Sequence, residues 1–267
     1  MPQFPYLYTT GRVPNPTNYY LNGFAIGGSP DLYLTPTTPD YAVGAKLEAS
    51  DGRIWRYGYF IAAVAAARTV AVDYSEASET AALDNVCTAA AAGATQVTLT
   101  SASINQTANA HAGSYLHIEA GPGAGYLYPI LGNEAGAANA VLMYLAVPLQ
   151  VALTTASDIQ LVACPYANLI IGSTTDNWIK GVTMGAPSAA DYGWIQTKGP
   201  ASVLCDETAG TATIGVWATQ SDGVDGAVNP AAGSDTSVAD LKTDPLVGVF
   251  VTDGTDTDTV VVDLRLD

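Results

Sequence analysis

Glycine and proline interrupt this chain so often that few stretches remain long enough for a helix. From Thr69 to about Ile171 the apolar and β-branched runs are short: Val70 to Tyr74, Gln96 to Thr100, Ser114 to Glu119, Tyr126 to Leu131, Ala140 to Tyr144, Ile159 to Cys164 and Leu169 to Ile171. Between them stand Gly93, Gly113, the loop Gly121-Pro-Gly-Ala-Gly125, Asn133 and Pro148. Turn residues at intervals of roughly 8–12 positions are the mark of sandwiches and barrels. The pattern predicts an all-β protein. Only the alanine-rich run Ile61 to Ala67 is ambiguous, being too short for its periodicity to separate a helix from a buried strand.

Local signals place the hairpins and the bends. Two alternating runs, Val43 to Ala49 and Arg53 to Tyr59, flank Ser50-Asp51-Gly52, and Asp-Gly between such runs predicts a β-hairpin because its turn needs the positive φ that glycine tolerates. From Tyr192 to Val203 apolar and polar side chains alternate around Gly199-Pro200, which predicts a strand bent at its middle. Further strands are expected at Ala212 to Ala218, Leu246 to Thr252 and Thr259 to Leu266, with an acidic loop from Gln220 to Asp244. The last of these, Val260-Val-Val-Asp-Leu-Arg-Leu266, reads as an interior strand. The expected architecture is an extended arm at residues 1–40, then two small sandwich-like or barrel-like β-domains at 41–184 and 185–267.

The arm contains Pro2, Pro5, Pro14, Pro16, Pro30, Pro36 and Pro39 interleaved with aromatic side chains. Proline at this density disfavours helix and central strand, while the aromatics need burial against some surface. Tyr6, Tyr8, Tyr19, Tyr20 and Phe24 are therefore the candidate partner-binding residues. Wrapping of the arm on its own domain is the plainer alternative, and the sequence leaves both open.

The formal charge of -16 is unevenly distributed. Residues 1–75 are balanced, with Arg12, Lys46, Arg53, Arg56 and Arg68 against Asp31, Asp40, Glu48, Asp51 and Asp73, so the excess acid lies beyond them. Repulsion from phosphates argues against nucleic acid and anionic membranes as partners. Solubility explains the acid equally well. The widely spaced Cys87, Cys164 and Cys205 give neither a disulfide framework nor a metal motif and read as small core residues. Met1 to Pro5 has no signal-peptide pattern, and the apolar run from Tyr59 to Ala67 is far shorter than the roughly 20 residues of a membrane helix, so a soluble, unsecreted chain is expected.

No pattern nominates a catalytic, cofactor-binding or metal-binding residue. His111 lies in a polar turn, and His117 alternates with Leu116 and Ile118 on a strand; neither has a nucleophile elbow or a second histidine at ligand spacing. The 121–125 glycines lack the lysine and helix of a phosphate loop and read as a turn. Asp253, Asp256 and Asp258 lack the spacing of a calcium loop and read first as a turn. Trp178, Trp194 and Trp217 read as core rather than as a sugar platform.

Two phrases carry a resemblance. Tyr192-Gly-Trp-Ile-Gln-Thr-Lys-Gly-Pro-Ala201 and the stretch Gly44-Ala-Lys through Asp51-Gly-Arg-Ile-Trp-Arg-Tyr57 are similar to phrases in structural proteins of tailed-phage virions, particularly capsid-associated and decoration proteins. The order of Ala94 to Thr100, Tyr115 to Ile118, Gly125 to Ile130 and Pro148 to Leu153 follows the same family. The resemblance implies a non-enzymatic capsid decoration, or cement, protein without cofactor. Its expected partners are the major capsid protein and itself as a homotrimer, and its expected location is the capsid surface of the virion after synthesis in the host cytoplasm. A phage tail or head-fibre component, the major shell protein, and a carbohydrate-binding or hydrolytic β-protein are the alternatives.

Overall fold

The computed structural model describes residues 19–26, 30–73, 85–100, 108–109, 111–136, 140–162, 164–173, 179–206, 211–231 and 246–267. Among these no helix occurs, and every paired strand is antiparallel to its neighbours. The chain begins in one large sheet with β1 (Tyr19–Leu21), β2 (Phe24–Ile26), β3 (Lys46–Ala49), β4 (Ile54–Tyr59) and β5 (Thr69–Val72). It then closes a barrel from β6 (Asn85–Cys87), β7 (Gln96–Thr100), β8 (Tyr115–Ala120), β9 (Leu127–Asn133), β10 (Ala140–Leu145) and β11 (Asp158–Val162). It returns to the large sheet with β12 (Leu169–Ile171), β13 (Ile179–Thr183), β14 (Tyr192–Leu204), β15 (Trp217–Gln220), β16 (Val228–Pro230), β17 (Leu246–Phe250) and β18 (Thr259–Arg265).

The barrel runs in the order β10-β7-β6-β11-β8-β9 and closes on itself, which removes exposed strand edges. Its period-two pattern is plain in β10, where Val141, Met143 and Leu145 are buried while the residues between them are half-buried. Leu99, Leu116, Ile118, Tyr128 and Ile159 fill the rest of the interior, and each fully buried aliphatic side chain contributes about 1.5–3 kcal/mol. Residues 121–125 form the β8–β9 turn, as expected. Gly121 has φ +76°, and a Cβ there would lie 2.0 Å from the Ala156 carbonyl oxygen, so the backbone can pass only because the side chain is missing.

The large sheet is organised by β14, 13 residues long. Its first half pairs with β4 and β13, and its second half, from Lys198 to Leu204, pairs with β18. A register shift lies between Gln196 and Lys198, and pairing to β4 stops there, so Gly199 and Pro200 fall where the strand is paired on one side only. The buried Gln196 amide fastens this bend: its Nε2 donates to the carbonyls of Lys198 (3.0 Å), Gly199 (3.2 Å) and Pro200 (2.9 Å). β18 lies between β17 and β14, the interior position expected for it.

Several expectations need correction. β14 is continuous through Gly199-Pro200 and central to the sheet, rather than a strand closing a separate small domain. The register Trp194↔Tyr57 joins the 41–59 segment to the 192–204 segment across the boundary expected near residue 185. Residues 61–67 are neither helix nor strand; Ala67 takes φ 58° in a turn. The strand expected at Ala212 to Ala218 begins only at Trp217, and β16 lies inside the stretch expected to be loop. Part of the arm belongs to the fold: β1 pairs with β3, and the backbone N–H of Tyr192 donates to the Pro36 carbonyl at 2.8 Å.

Candidate functional site

Where the barrel meets the large sheet, a cleft of about 780 Å³ opens. Its sheet side is aromatic because of register: Tyr59 ends β4, Tyr192 begins β14, and the two are directly opposed. Their rings stand 4.9 Å apart, and Tyr57 stacks on Tyr192 at 6.1 Å. Tyr41, in the loop before β3, completes the wall against Trp194 at 5.1 Å and Tyr57 at 5.3 Å. The barrel side is aliphatic, from Ile130 and Leu131 in the middle of β9. Asn109 and Asn168 add amides, and among the described residues no charged side chain lines the cleft. Burial and the neighbouring Tyr59 push the Tyr192 phenol up, so it stays neutral and serves as an apolar plate with a hydroxyl tip.

Glycines set how closely the two bodies approach. A Cβ on Gly113 would lie 3.3 Å from the Val43 carbonyl and 3.6 Å from Cys164 Sγ, while one on Gly44 would meet the same sulfur at 3.5 Å. The backbone N–H of Cys164 donates to Ser114 Oγ at 3.1 Å, tying the barrel's exit to its β8 entry. Burial pushes the Cys164 thiol up, as it does that of Cys87, and all three cysteines are buried and outside any disulfide.

Beside the cleft the outer wall of the barrel is apolar and poor in charge. Leu131 is 67% exposed, Leu127 52% and Val147 44%. Val147 follows Ala146, whose N–H donates to the Pro129 carbonyl at 2.8 Å, which brings it beside β9. From Arg68 to Lys180 the chain contains no lysine or arginine, and within residues 85–162 the only carboxylates are Glu119, Glu134 and Asp158. A surface with exposed leucines and so few charges has the composition of an interface centre.

An ion pair ties β4 to the last residue of the sequence. Arg56 donates from Nε and Nη2 to the Asp267 carboxylate at 3.1 and 2.9 Å, and from Nη1 to the Gly44 carbonyl at 3.3 Å. Its guanidinium lies over the Tyr166 ring at 5.4 Å. Burial works to raise the Asp267 carboxyl, but Arg56 outweighs it and holds the group below the usual aspartate value. Burial likewise opposes the Arg56 charge, but the bond to Asp267, together with the nearby Tyr166, Asp267 and Tyr115, outweighs it, so the guanidinium lies above its ordinary value. The pair is spent on architecture.

The residues singled out from sequence are scattered. Tyr6 and Tyr8 lie outside the described residues. Tyr19 is buried against Trp55 in the core of its own sheet, Tyr20 faces solvent, and Phe24 is in the edge strand β2. His111 is buried, its backbone N–H donating to Asn133 Oδ1 at 2.9 Å, and His117 is opposed to Leu127 on the barrel wall. Asp253 accepts from the Ile214 N–H at 2.8 Å and Asp258 from Thr255 Oγ1 at 2.6 Å, which makes that run a braced turn. Among the described residues no three His, Cys, Asp or Glu side chains are grouped to hold a metal ion. Sequence reasoning missed Tyr41, Tyr59 and Tyr192 as a group, since only strand register brings them together.

No protein-family model, curated protein or solved structure matches this chain.

Proposed function

We propose that this protein is a structural component of a tailed-phage head, a capsid decoration protein that binds the assembled shell and stabilises it without chemistry. The observation that carries the reading is the barrel wall, where Leu127 and Val147 are exposed on a body without a single lysine or arginine. The resemblance of the 44–57 and 192–201 phrases to virion proteins gives the direction. In the fold those phrases form β3, β4 and β14, the scaffold from which the barrel projects.

The mechanism is linkage. A protein that binds the closed shell and not its dissociated subunits shifts the equilibrium toward the shell by an amount set by its affinity and free concentration. Apolar wall residues seat against the major capsid protein, and a standard interface of about 800 Å² per partner is within the reach of such a wall. The acidic remainder faces solvent and keeps decorated particles apart. Self-association as a homotrimer belongs to the same proposal, by analogy with the local three-fold positions of icosahedral shells.

Co-sedimentation with empty phage shells tests it. The full chain should pellet saturably, near one copy per shell subunit or a simple fraction of that number. The double variant Leu127→Lys/Val147→Lys, altered only at exposed positions, should bind at least about tenfold more weakly, because charge is placed where apolar contact is needed. Failure of the wild-type chain to bind any shell overturns the proposal, and undiminished binding by the variant removes the barrel wall from it.

A further inference from the structure

We infer that the tyrosine cleft is the docking groove for the chain's own aromatic N-terminal stretch, Gln3-Phe-Pro-Tyr-Leu-Tyr8. The chemistry of the two surfaces matches. The cleft presents Tyr41, Tyr59 and Tyr192 on one side and Ile130 and Leu131 on the other, with no charged group among the described residues. Grooves walled by aromatic side chains suit extended proline-containing segments, whose backbone is already stiff and so loses little entropy on binding. Residues 3–8 are uncharged and almost wholly apolar, so neither side gives up the solvation of a charge when they meet. Asn109 and Asn168 supply amides for the peptide's backbone groups.

The length of chain fits as well. β1 places Tyr19 opposite Ala49, at the Asp51-Gly52 end of the β3–β4 hairpin, whereas the cleft lies at the Tyr59 end. β4 has six residues, so the two ends are about 20 Å apart. Residues 9–18 span up to about 35 Å when extended, enough to return along the sheet and leave residues 3–8 at the cleft. A tether of this length supplies an effective concentration in the millimolar range, far above what a second copy offers in dilute solution. Docking within one chain is therefore favoured over exchange between chains.

Disulfide trapping in the full-length chain, with no shell present, tests this. The pair Tyr6→Cys/Leu131→Cys should close an intramolecular bond under mild oxidation at least about tenfold faster than Tyr6→Cys/Val251→Cys, whose second site is exposed on the large sheet. The native cysteines are buried and remain silent. Equal rates for the two pairs, or cross-links chiefly between chains, overturn the inference. Chymotrypsin gives a second reading: cutting after Tyr6 and Tyr8 should be about tenfold slower in the wild type than in Leu131→Asp, and equal cutting again overturns it. Because these readouts involve no phage component, they stand or fall separately from shell binding.

Discussion

The barrel and the large sheet reach antiparallel β-structure by opposite routes. The barrel is built from consecutive residues, 85–162, closes on itself, and holds its six strands around one aliphatic cluster. The sheet is assembled from both sides of that stretch: β4, β3, β1 and β2 continue in a run from β14, while β5 lies between β12 and β13. Its cores include the aromatic group of Tyr19, Trp55, Tyr57 and Trp194, and it relies on polar fasteners such as Gln196 and the Arg56–Asp267 pair. The barrel's pairings all lie within one stretch of chain, whereas those of the sheet need both flanks of the barrel.

The strongest way to break this comparison is to remove residues 246–267. β18 lies between β14 and β17, so its loss should abolish the slow amide exchange of β4 and β14 while β7 to β11 keep theirs, as hydrogen–deuterium exchange would reveal. Loss of protection in both bodies would mean that they fold as one. The reverse lesion is Gly121→Ala, whose added carbon meets the Ala156 carbonyl at a position with φ +76°. It should destabilise the barrel by roughly 2–4 kcal/mol. All four tryptophans, Trp55, Trp178, Trp194 and Trp217, lie outside residues 85–162, so the barrel's transition should appear in circular dichroism at a lower temperature while tryptophan fluorescence holds its midpoint.

The smallest effect concerns the ion pair. Asp267 has a folded pKa below its unfolded value, so it binds its proton less readily in the native state. Its contribution is complete above the ordinary aspartate value, about 4, and disappears as pH falls through the lower folded value. Asp267→Asn should cost the sheet about 1 kcal/mol at neutral pH, and the gap between variant and wild type in denaturant titrations should close as the solution is acidified toward pH 2. A gap that persists there would assign the effect to Thr197 Oγ1, which donates to the same carboxylate at 3.3 Å, rather than to charge.

What the sequence reveals follows the range of the interactions. β7 and β12 have the bounds that turn spacing and side-chain alternation predict, and Asp51-Gly52 makes the expected hairpin with Gly52 at φ +89°. These features depend on neighbours in the chain. Closure of the barrel joins residues some seventy positions apart, and the pairing of β4 with β14 joins residues more than a hundred apart; for both, alternation says only that a strand exists and not beside which partner it lies. The arm misled for the same reason: Tyr19 has the composition of an extended tail, yet it packs at 6.0 Å from Trp55 because β1 finds β3. The cleft was illegible because Tyr59 meets Tyr192, and Tyr41 meets Trp194, only through the register of a distant strand, whereas the absence of cations between Arg68 and Lys180 could be read from the string of letters alone.

That same absence decides how the molecule can be handled. Lys46, Lys180 and Lys198 stand in β3, β13 and β14, and Lys242 lies outside the described residues; none falls within residues 85–162, so reagents that attack lysine amines never grip the barrel. A copy coupled through its lysines to a bead or a sensor chip is therefore held by its scaffold, with the leucine-bearing wall turned outward to whatever is passed over it.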